Sequence, residues 1–225
     1  MKKPAQLPLV LPFSPALSRG DFIVSPANAD ALAFIERWPD WTVPIAALYG
    51  PAGCGKTHLA SVWQAMSGAE QISANEIRSV GIQTQCARVI EDVDRAEPTD
   101  ERDLELFAAM QMAAANAPLL LTGVAPPSSW PCVLPDLTSR FSALVALPLR
   151  IPDESVLAGL TEKLFADRQL TVPDEVIARI LLVIERSPEA VREFVAEVDA
   201  AALAAASPVN LSLVRRLLAA RRGGS

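Results

Sequence analysis

The sequence predicts an α/β fold, a parallel sheet flanked by helices and followed by a small all-helical domain. Short apolar runs alternate with helix-length segments up to about residue 150, the pattern of a parallel sheet covered on both faces. Beyond Leu149 no strand-like run recurs, and successive helix starts take over. A third observation is the stretch Gly50, Pro51, Ala52, Gly53, Cys54, Gly55, Lys56, Thr57, which fits G-x-x-x-x-G-K-[ST], the phosphate-binding P-loop.

The elements follow in order. Residues 1–20 are Pro-rich and aperiodic and read as an extended tail. Phe22-Ile23-Val24 starts the folded part, and Asn28 to Trp38 has helical spacing through Leu32, Ile35 and Trp38. Strands are expected at 45–49, 71–73, 87–90, 118–122 and 143–147, with helices at 56–66, 101–116 and 134–141 between them. In the C-terminal part, Ile151-Pro-Asp153 opens a helix to about Arg168, and Val172-Pro-Asp174 opens a second to about Arg186. Ser187-Pro-Glu189 opens a third, with Ser as N-cap, Pro in the first position and an acid in the first turn. Ser207-Pro-Val-Asn210 precedes the last. The expected domains are therefore a tail over 1–20, an α/β domain over 21–150 and a helical domain over 151–225.

Composition narrows the function. Half of the 225 residues are hydrophobic, enough for a sizeable core, and the net charge of −6 argues against a chain that binds nucleic acid on its own basic face. Three cysteines, Cys54, Cys86 and Cys132, form no metal-ligand spacing, and their odd number fits a reduced, cytoplasmic setting. Pro8 and Pro12 break the short apolar run after Lys2-Lys3, so no signal peptide is expected, and no later stretch suits a membrane span.

The P-loop needs a strand before it and a helix after it, and Ile45 to Tyr49 and His58 to Trp63 supply them. Its glycines let backbone N–H groups converge on an anion, and the helix N-terminus adds partial positive charge there. Lys56 would reach the β- and γ-phosphates, with the Thr57 hydroxyl on Mg²⁺. His58 falls in the first turn of that helix. A short apolar strand, Arg88-Val-Ile-Glu91-Asp92, ends in two acids: Glu91 is placed for the Mg²⁺ shell and Asp92 for polarising the attacking water. Arg140, in Leu134-Pro-Asp-Leu-Thr-Ser-Arg-Phe141, could supply the cation that a γ-phosphate requires, from a second subunit; the alternative is a surface salt bridge. Arg192, in Pro188-Glu-Ala-Val-Arg-Glu193, could fold back onto the phosphates or pair with Glu189.

A P-loop α/β core with a helical lid resembles the AAA+ ATPases, and these segments resemble the ATPase region of the bacterial replication initiator DnaA over about residues 21–220. Phe22-Ile-Val-Ser-Pro-Ala-Asn28 resembles the segment that flanks the adenine, which implies nucleotide contacts at Ile23 and Val24. Leu120-Leu-Thr-Gly-Val-Ala-Pro-Pro127 resembles DnaA's strand before the short helix. The segment 134–141 resembles its arginine-finger box, and Ala190-Val-Arg-Glu193 its sensor-2 helix. Gln6-Leu7-Pro-Leu9-Val-Leu11 resembles the peptide with which proteins dock on the bacterial sliding clamp, an extended segment with apolar anchors. The combination resembles the Hda family, regulatory inactivators of DnaA, in its alphaproteobacterial branch. The resemblance implies ADP or ATP with Mg²⁺ as cofactor, and DnaA and the sliding clamp (the β subunit of DNA polymerase III) as partners. DNA is approached only through the clamp, and a homo-oligomer is possible. It implies that Arg140 acts in trans on DnaA, that Lys56, Thr57 and Arg192 hold this chain's own nucleotide, and that Gln6, Leu7, Leu9 and Leu11 grip the clamp. Glu91 stands where the motif usually has Asp, and Val124 where DnaA has a polar sensor residue; both favour holding a nucleotide over turning it over. Two other readings remain open: a DnaA-like or helicase-loader ATPase acting directly on DNA or helicase, and a small-molecule P-loop kinase.

Overall fold

A computed structural model describes residues 17–77, 86–114, 117–205 and 207–223. The chain divides into two compact units, one over Leu17–Asp153 and one built on Glu154–Ser225.

The first unit is built on α1 (Ala29–Glu36), β1 (Ile45–Tyr49), α2 (Lys56–Ser67), β2 (Glu70–Ser73), β3 (Arg88–Glu91), α3 (Asp100–Ala114), β4 (Leu119–Gly123), α4 (Pro135–Ser142) and β5 (Val145–Pro148). The strands form one parallel sheet in the order β2-β3-β4-β1-β5. The register sets Ile45 beside Leu119, Ala46 beside Val145 and Ile90 beside Leu121. Successive residues of a strand point to opposite faces. Leu48, Val89 and Leu120 therefore enter a core with Leu32, Ile35, Leu59 and Trp63, from α1 and α2. Ala47, Ile90 and Leu121 enter a second core with Leu106, Met110, Leu137 and Phe141, from α3 and α4. Burial on both faces is why β1 and the start of β4 are unbroken apolar runs rather than alternating ones.

An indole cluster fixes α2. Trp41 stacks on Trp63 with ring centroids 4.9 Å apart and planes 10° from parallel, and Trp38 meets both edge-on. Trp41 Nε1 donates to the Phe34 carbonyl at 2.9 Å, which ties the cluster to α1.

The second unit comprises α5 (Glu154–Asp167), α6 (Asp174–Leu181), α7 (Pro188–Ala205) and α8 (Leu211–Gly223). Leu157, Leu160 and Phe165 of α5, Val176 and Ile180 of α6, and Val191, Phe194 and Val198 of α7 are buried. Ser187 Oγ accepts from Ala190 N, so the expected cap acts as one, and Asn210 Oδ1 accepts from Leu213 N, capping the last helix.

Two boundaries depart from the sequence expectation. The second helix of this unit stops at Leu181, not near Arg186. Val183 N and Ile184 N both turn back to the Ile180 carbonyl, and the chain must extend before Ser187-Pro188, because a residue preceding proline avoids the helical region. β5 begins at Val145 rather than 143, since Ala143 N and Leu144 N still close the end of α4 on the carbonyls of Arg140 and Phe141. The helix expected over 101–116 is described to Ala114; residues 115 and 116 lie outside the described residues.

Candidate nucleotide-binding site

β1 delivers the P-loop to the carboxyl edge of the sheet, where ligands of open α/β sheets bind. Gly50 N donates to the Gly123 carbonyl at 3.2 Å, and Leu149 N to the Tyr49 carbonyl at 2.7 Å, so β4 and the end of β5 grip the start of the loop. Gly50 has φ +153°, and a Cβ there would lie 2.1 Å from the Leu149 carbonyl oxygen. Gly55 caps α2 at φ +99°, where side chains carry a steric penalty, with the Phe22 ring against it. Pro51, Ala52 and Gly53 complete the turn, and Thr57 lies in the first turn of α2. Lys56 Nζ donates to the carbonyls of Gly50 at 2.8 Å and Pro51 at 3.0 Å. The ammonium thus spans the loop mouth on neutral acceptors, which an anion would outcompete.

Cys54 is 2% exposed, 3.9 Å from Lys56 Nζ. Burial pushes its thiol above the usual range, and the Lys56 charge opposes this only in part. Reactivity follows thiolate and access, so N-ethylmaleimide should label the half-buried Cys86 and Cys132 at least about tenfold faster than Cys54. Peptide mass mapping over a time course checks this; equal labelling would mean the loop opens readily.

The segment expected to flank a base lies against the P-loop helix. Phe22 is buried, with its ring against Gly55 and edge-on to His58 at 5.1 Å. His58 Nε2 is 2.8 Å from the Ser18 carbonyl. Ile23 is half-buried and Val24 is 50% exposed, so Val24 is open to a ligand while Phe22 does the packing. Asn28, which the sequence reading passed over, holds the segment. Its Nδ2 donates to the Ile23 carbonyl at 2.9 Å, and its Oδ1 accepts from Ser25 N at 2.9 Å.

The two acids stand beside the loop. Gly123 bonds Gly50, and the neighbouring Thr122 accepts Asp92 N on its hydroxyl at 3.2 Å and Val93 N on its carbonyl at 2.9 Å. P-loop, β4 and the end of β3 are thereby stitched side by side. Asp92 adopts φ +55°, a left-handed turn that Asp tolerates better than most residues. Glu91 Oε2 accepts from Gln71 Nε2, and Glu91 Oε1 is buried without a protein partner. A buried carboxylate oxygen left open at the edge of a phosphate cradle fits a cation. Among the described residues no cluster of three His, Cys, Asp or Glu could hold a metal alone. Mg²⁺ would rest on Thr57, Glu91 and the oxygens of its own nucleotide. Asp94 was also missed by the sequence reading. Its Oδ2 accepts from Val124 N at 2.8 Å and Ala125 N at 2.7 Å, fixing the loop after β4.

Arg140 lies on α4 with its guanidinium 4.3 Å from the Phe107 ring centroid of α3, and among the described residues it has no ion-pair partner. Behind it sits a buried charge pair. Arg102 and Asp103 have side chains 1% and 0% exposed, with Arg102 Nη1 3.1 Å from Asp103 Oδ1. Burial lowers the Arg102 pKa, and the Asp103 charge counters this. Asp103 Oδ2 accepts from Val133 N and Leu134 N, the latter capping α4. In the sequence these two charges look like part of a solvated first turn.

Arg192 lies on α7, in the second unit. Gln6, Leu7, Leu9 and Leu11 lie outside the described residues. Among the described residues no helix is long and apolar enough to cross a membrane.

The arrangement has counterparts among solved structures. Domain III of the Thermotoga maritima replication initiation protein DnaA superposes with TM-score 0.72 at 17% identity, covering 92% of this chain and 97% of that one. AMPPCP-bound DnaA from Aquifex aeolicus gives 0.69 at 16% identity, and the Thermotoga maritima RuvB Holliday junction branch migration motor 0.65 at 17%. These cover 82% and 89% of this chain, which spans 65% and 70% of theirs. No family model matches the chain, and no curated protein does. The fold is that of an AAA+ P-loop NTPase, DnaA-like in its neighbours.

Proposed function

We propose that this chain is a nucleotide-holding AAA+ regulator of replication initiation. It binds ADP or ATP with Mg²⁺ at its P-loop, docks through its N-terminal tail on a DNA-loaded sliding clamp, and stimulates hydrolysis of ATP bound to DnaA with Arg140. The observation that carries this reading is how Arg140 is held. A surface arginine ordinarily ends on a carboxylate. Here the guanidinium rests on the face of Phe107, which steadies it while leaving its N–H donors to a phosphate. The P-loop backbone and Lys56 receive the phosphates of the chain's own nucleotide, and Val24 offers apolar surface to the base. Mg²⁺, when bound, would neutralise phosphate charge. Val124 carries no polar group to orient water, so Glu91 and Asp92 serve retention more than turnover, and weak or no intrinsic hydrolysis follows. The net charge of −6 supports recruitment to DNA through the clamp rather than by direct contact.

The test is hydrolysis of DnaA-bound ATP on clamp-loaded DNA, with wild type or Arg140→Ala. Arginine fingers are worth about 10³–10⁵ in rate, so the variant should lose nearly all stimulation while binding fluorescent ADP like wild type. Stimulation by both proteins would remove Arg140 from the role. Stimulation by neither, with salt-sensitive DNA binding in the absence of clamp, would favour an ATPase acting directly on DNA.

A further inference from the structure

Arg102 and Asp103 are charged, fully buried and adjacent to each other on α3, and neither belongs to the P-loop, the acid pair or the base-flanking segment. A buried ion pair is weak evidence of stabilisation, since apolar residues of similar volume often serve as well. What these two side chains hold is therefore more informative than their mutual attraction. Arg102 Nη1 and Nη2 and Asp103 Oδ2 go to irregular backbone on either side. Arg102 Nη2 donates to the Val93 carbonyl at 3.0 Å, one residue beyond Asp92. Arg102 Nη1 donates to the Pro131 carbonyl at 2.9 Å. Asp103 Oδ2 takes Val133 N at 2.6 Å and Leu134 N at 2.9 Å, and Leu134 begins the helix that carries Arg140. Thr99 fixes the pair from below, its hydroxyl accepting Arg102 N and its carbonyl Asp103 N. The segment 131–134 has no regular structure of its own, so these bonds set where α4 starts.

We propose that Arg102 and Asp103 are positioning residues that lock the start of the Arg140 helix to the end of β3. The acid pair that faces the chain's own nucleotide and the arginine offered to a second subunit then move as one piece. A shift of the 91–93 backbone is passed through the rigid guanidinium fork to Pro131 and so to Arg140. A lysine cannot substitute, because one ammonium on a flexible stem lacks the planar fork that spans both carbonyls. The inference rests on the reading of Arg140 given above, and the experiment separates the two.

Arg102→Lys is compared with wild type in two measurements. Amide exchange reads the lock itself: Val133 and Leu134 should exchange at least about tenfold faster in the variant, with β1 and β4 amides unchanged. Stimulated hydrolysis of DnaA-bound ATP reads its use. The maximal rate should fall about a hundredfold, as expected when a reacting group is displaced by about 1 Å. The half-saturating concentration and the affinity for fluorescent ADP should stay within about twofold. The double variant Arg102→Met/Asp103→Leu fills a similar volume without leaving either charge buried alone; it should stay folded by far-UV circular dichroism, with a lower melting temperature because four backbone groups lose their side-chain partners, and show the same two losses. Wild-type protection of Val133 and Leu134 in the double variant overturns the lock, and wild-type stimulation by it overturns the lock's role. A wild-type protein that stimulates nothing, with exchange accelerated in both variants, leaves the lock standing and overturns the reading of Arg140 and with it the positioning role.

Discussion

Gly50→Ala should abolish nucleotide binding and lower the melting temperature by about 10 °C. The new methyl carbon would sit 2.1 Å from the Leu149 carbonyl oxygen and 3.0 Å from Cys54 Sγ, and the residue would have to hold φ +153°. The oxygen belongs to backbone anchored through Leu149 N to Tyr49, so it cannot swing aside as a side chain would. Overpacking and forced backbone geometry each cost about 1–3 kcal/mol. Relief requires Gly50 to move off Gly123, and that takes the Gly50 and Pro51 carbonyls away from Lys56. Binding and stability should therefore fail together. Calorimetry alongside fluorescent ADP titration checks this, and a variant with wild-type affinity would show that the loop is not gripped as described.

The second large effect is expected at Phe141→Ala, with a loss of about 3–5 kcal/mol in urea unfolding. Phe141 is 1% exposed, meets Trp130 edge-on at 5.2 Å, and lies in the core between the sheet and α3. Its neighbours are held independently, Trp130 by its Nε1 bond to the Ala125 carbonyl, so they cannot close the cavity. Domains have only about 5–15 kcal/mol in total, so the variant should lie near the edge of folding at 37 °C. A loss below about 1.5 kcal/mol would mean that α4 repacks, in which case Arg140 would also shift on Phe107.

The parts of this molecule that were legible in the sequence are those governed by short-range rules. The P-loop announces itself because its glycines, Lys56 and Thr57 are contiguous. β1 and the start of β4 are unbroken apolar runs, and Ser187 stands where a cap belongs. What stayed hidden depends on partners far along the chain. Asp94 looks like one more polar loop residue until Val124 and Ala125 present their amides to it. Asp100-Glu101-Arg102-Asp103 reads as a solvated first turn, and only the approach of the 131–134 segment buries two of its four charges. Asn28 gives no sign that its amide reaches back to Ile23. The end of α6 departs from its sequence pattern for a local reason: Leu182, Val183 and Ile184 continue the apolar run, yet Leu182 is 68% exposed, and the chain turns there toward Ser187.

The strand order has a consequence for how the protein is made. β1 is translated first, yet both of its neighbours in the sheet come late: Ile45 pairs with Leu119, and Ala46 with Val145. Pairings so distant in sequence make for slow closure. At ribosomal speeds of about 5–20 residues per second, the apolar strand that carries the P-loop waits for seconds without its partners. During that interval α1 and α2 are the cover available to it, through Leu48 and the indole cluster around Trp63. The four-ring cluster of Phe34, Trp38, Trp41 and Trp63, complete once residue 63 has emerged, would then act as an early local nucleus that shields β1 on the ribosome.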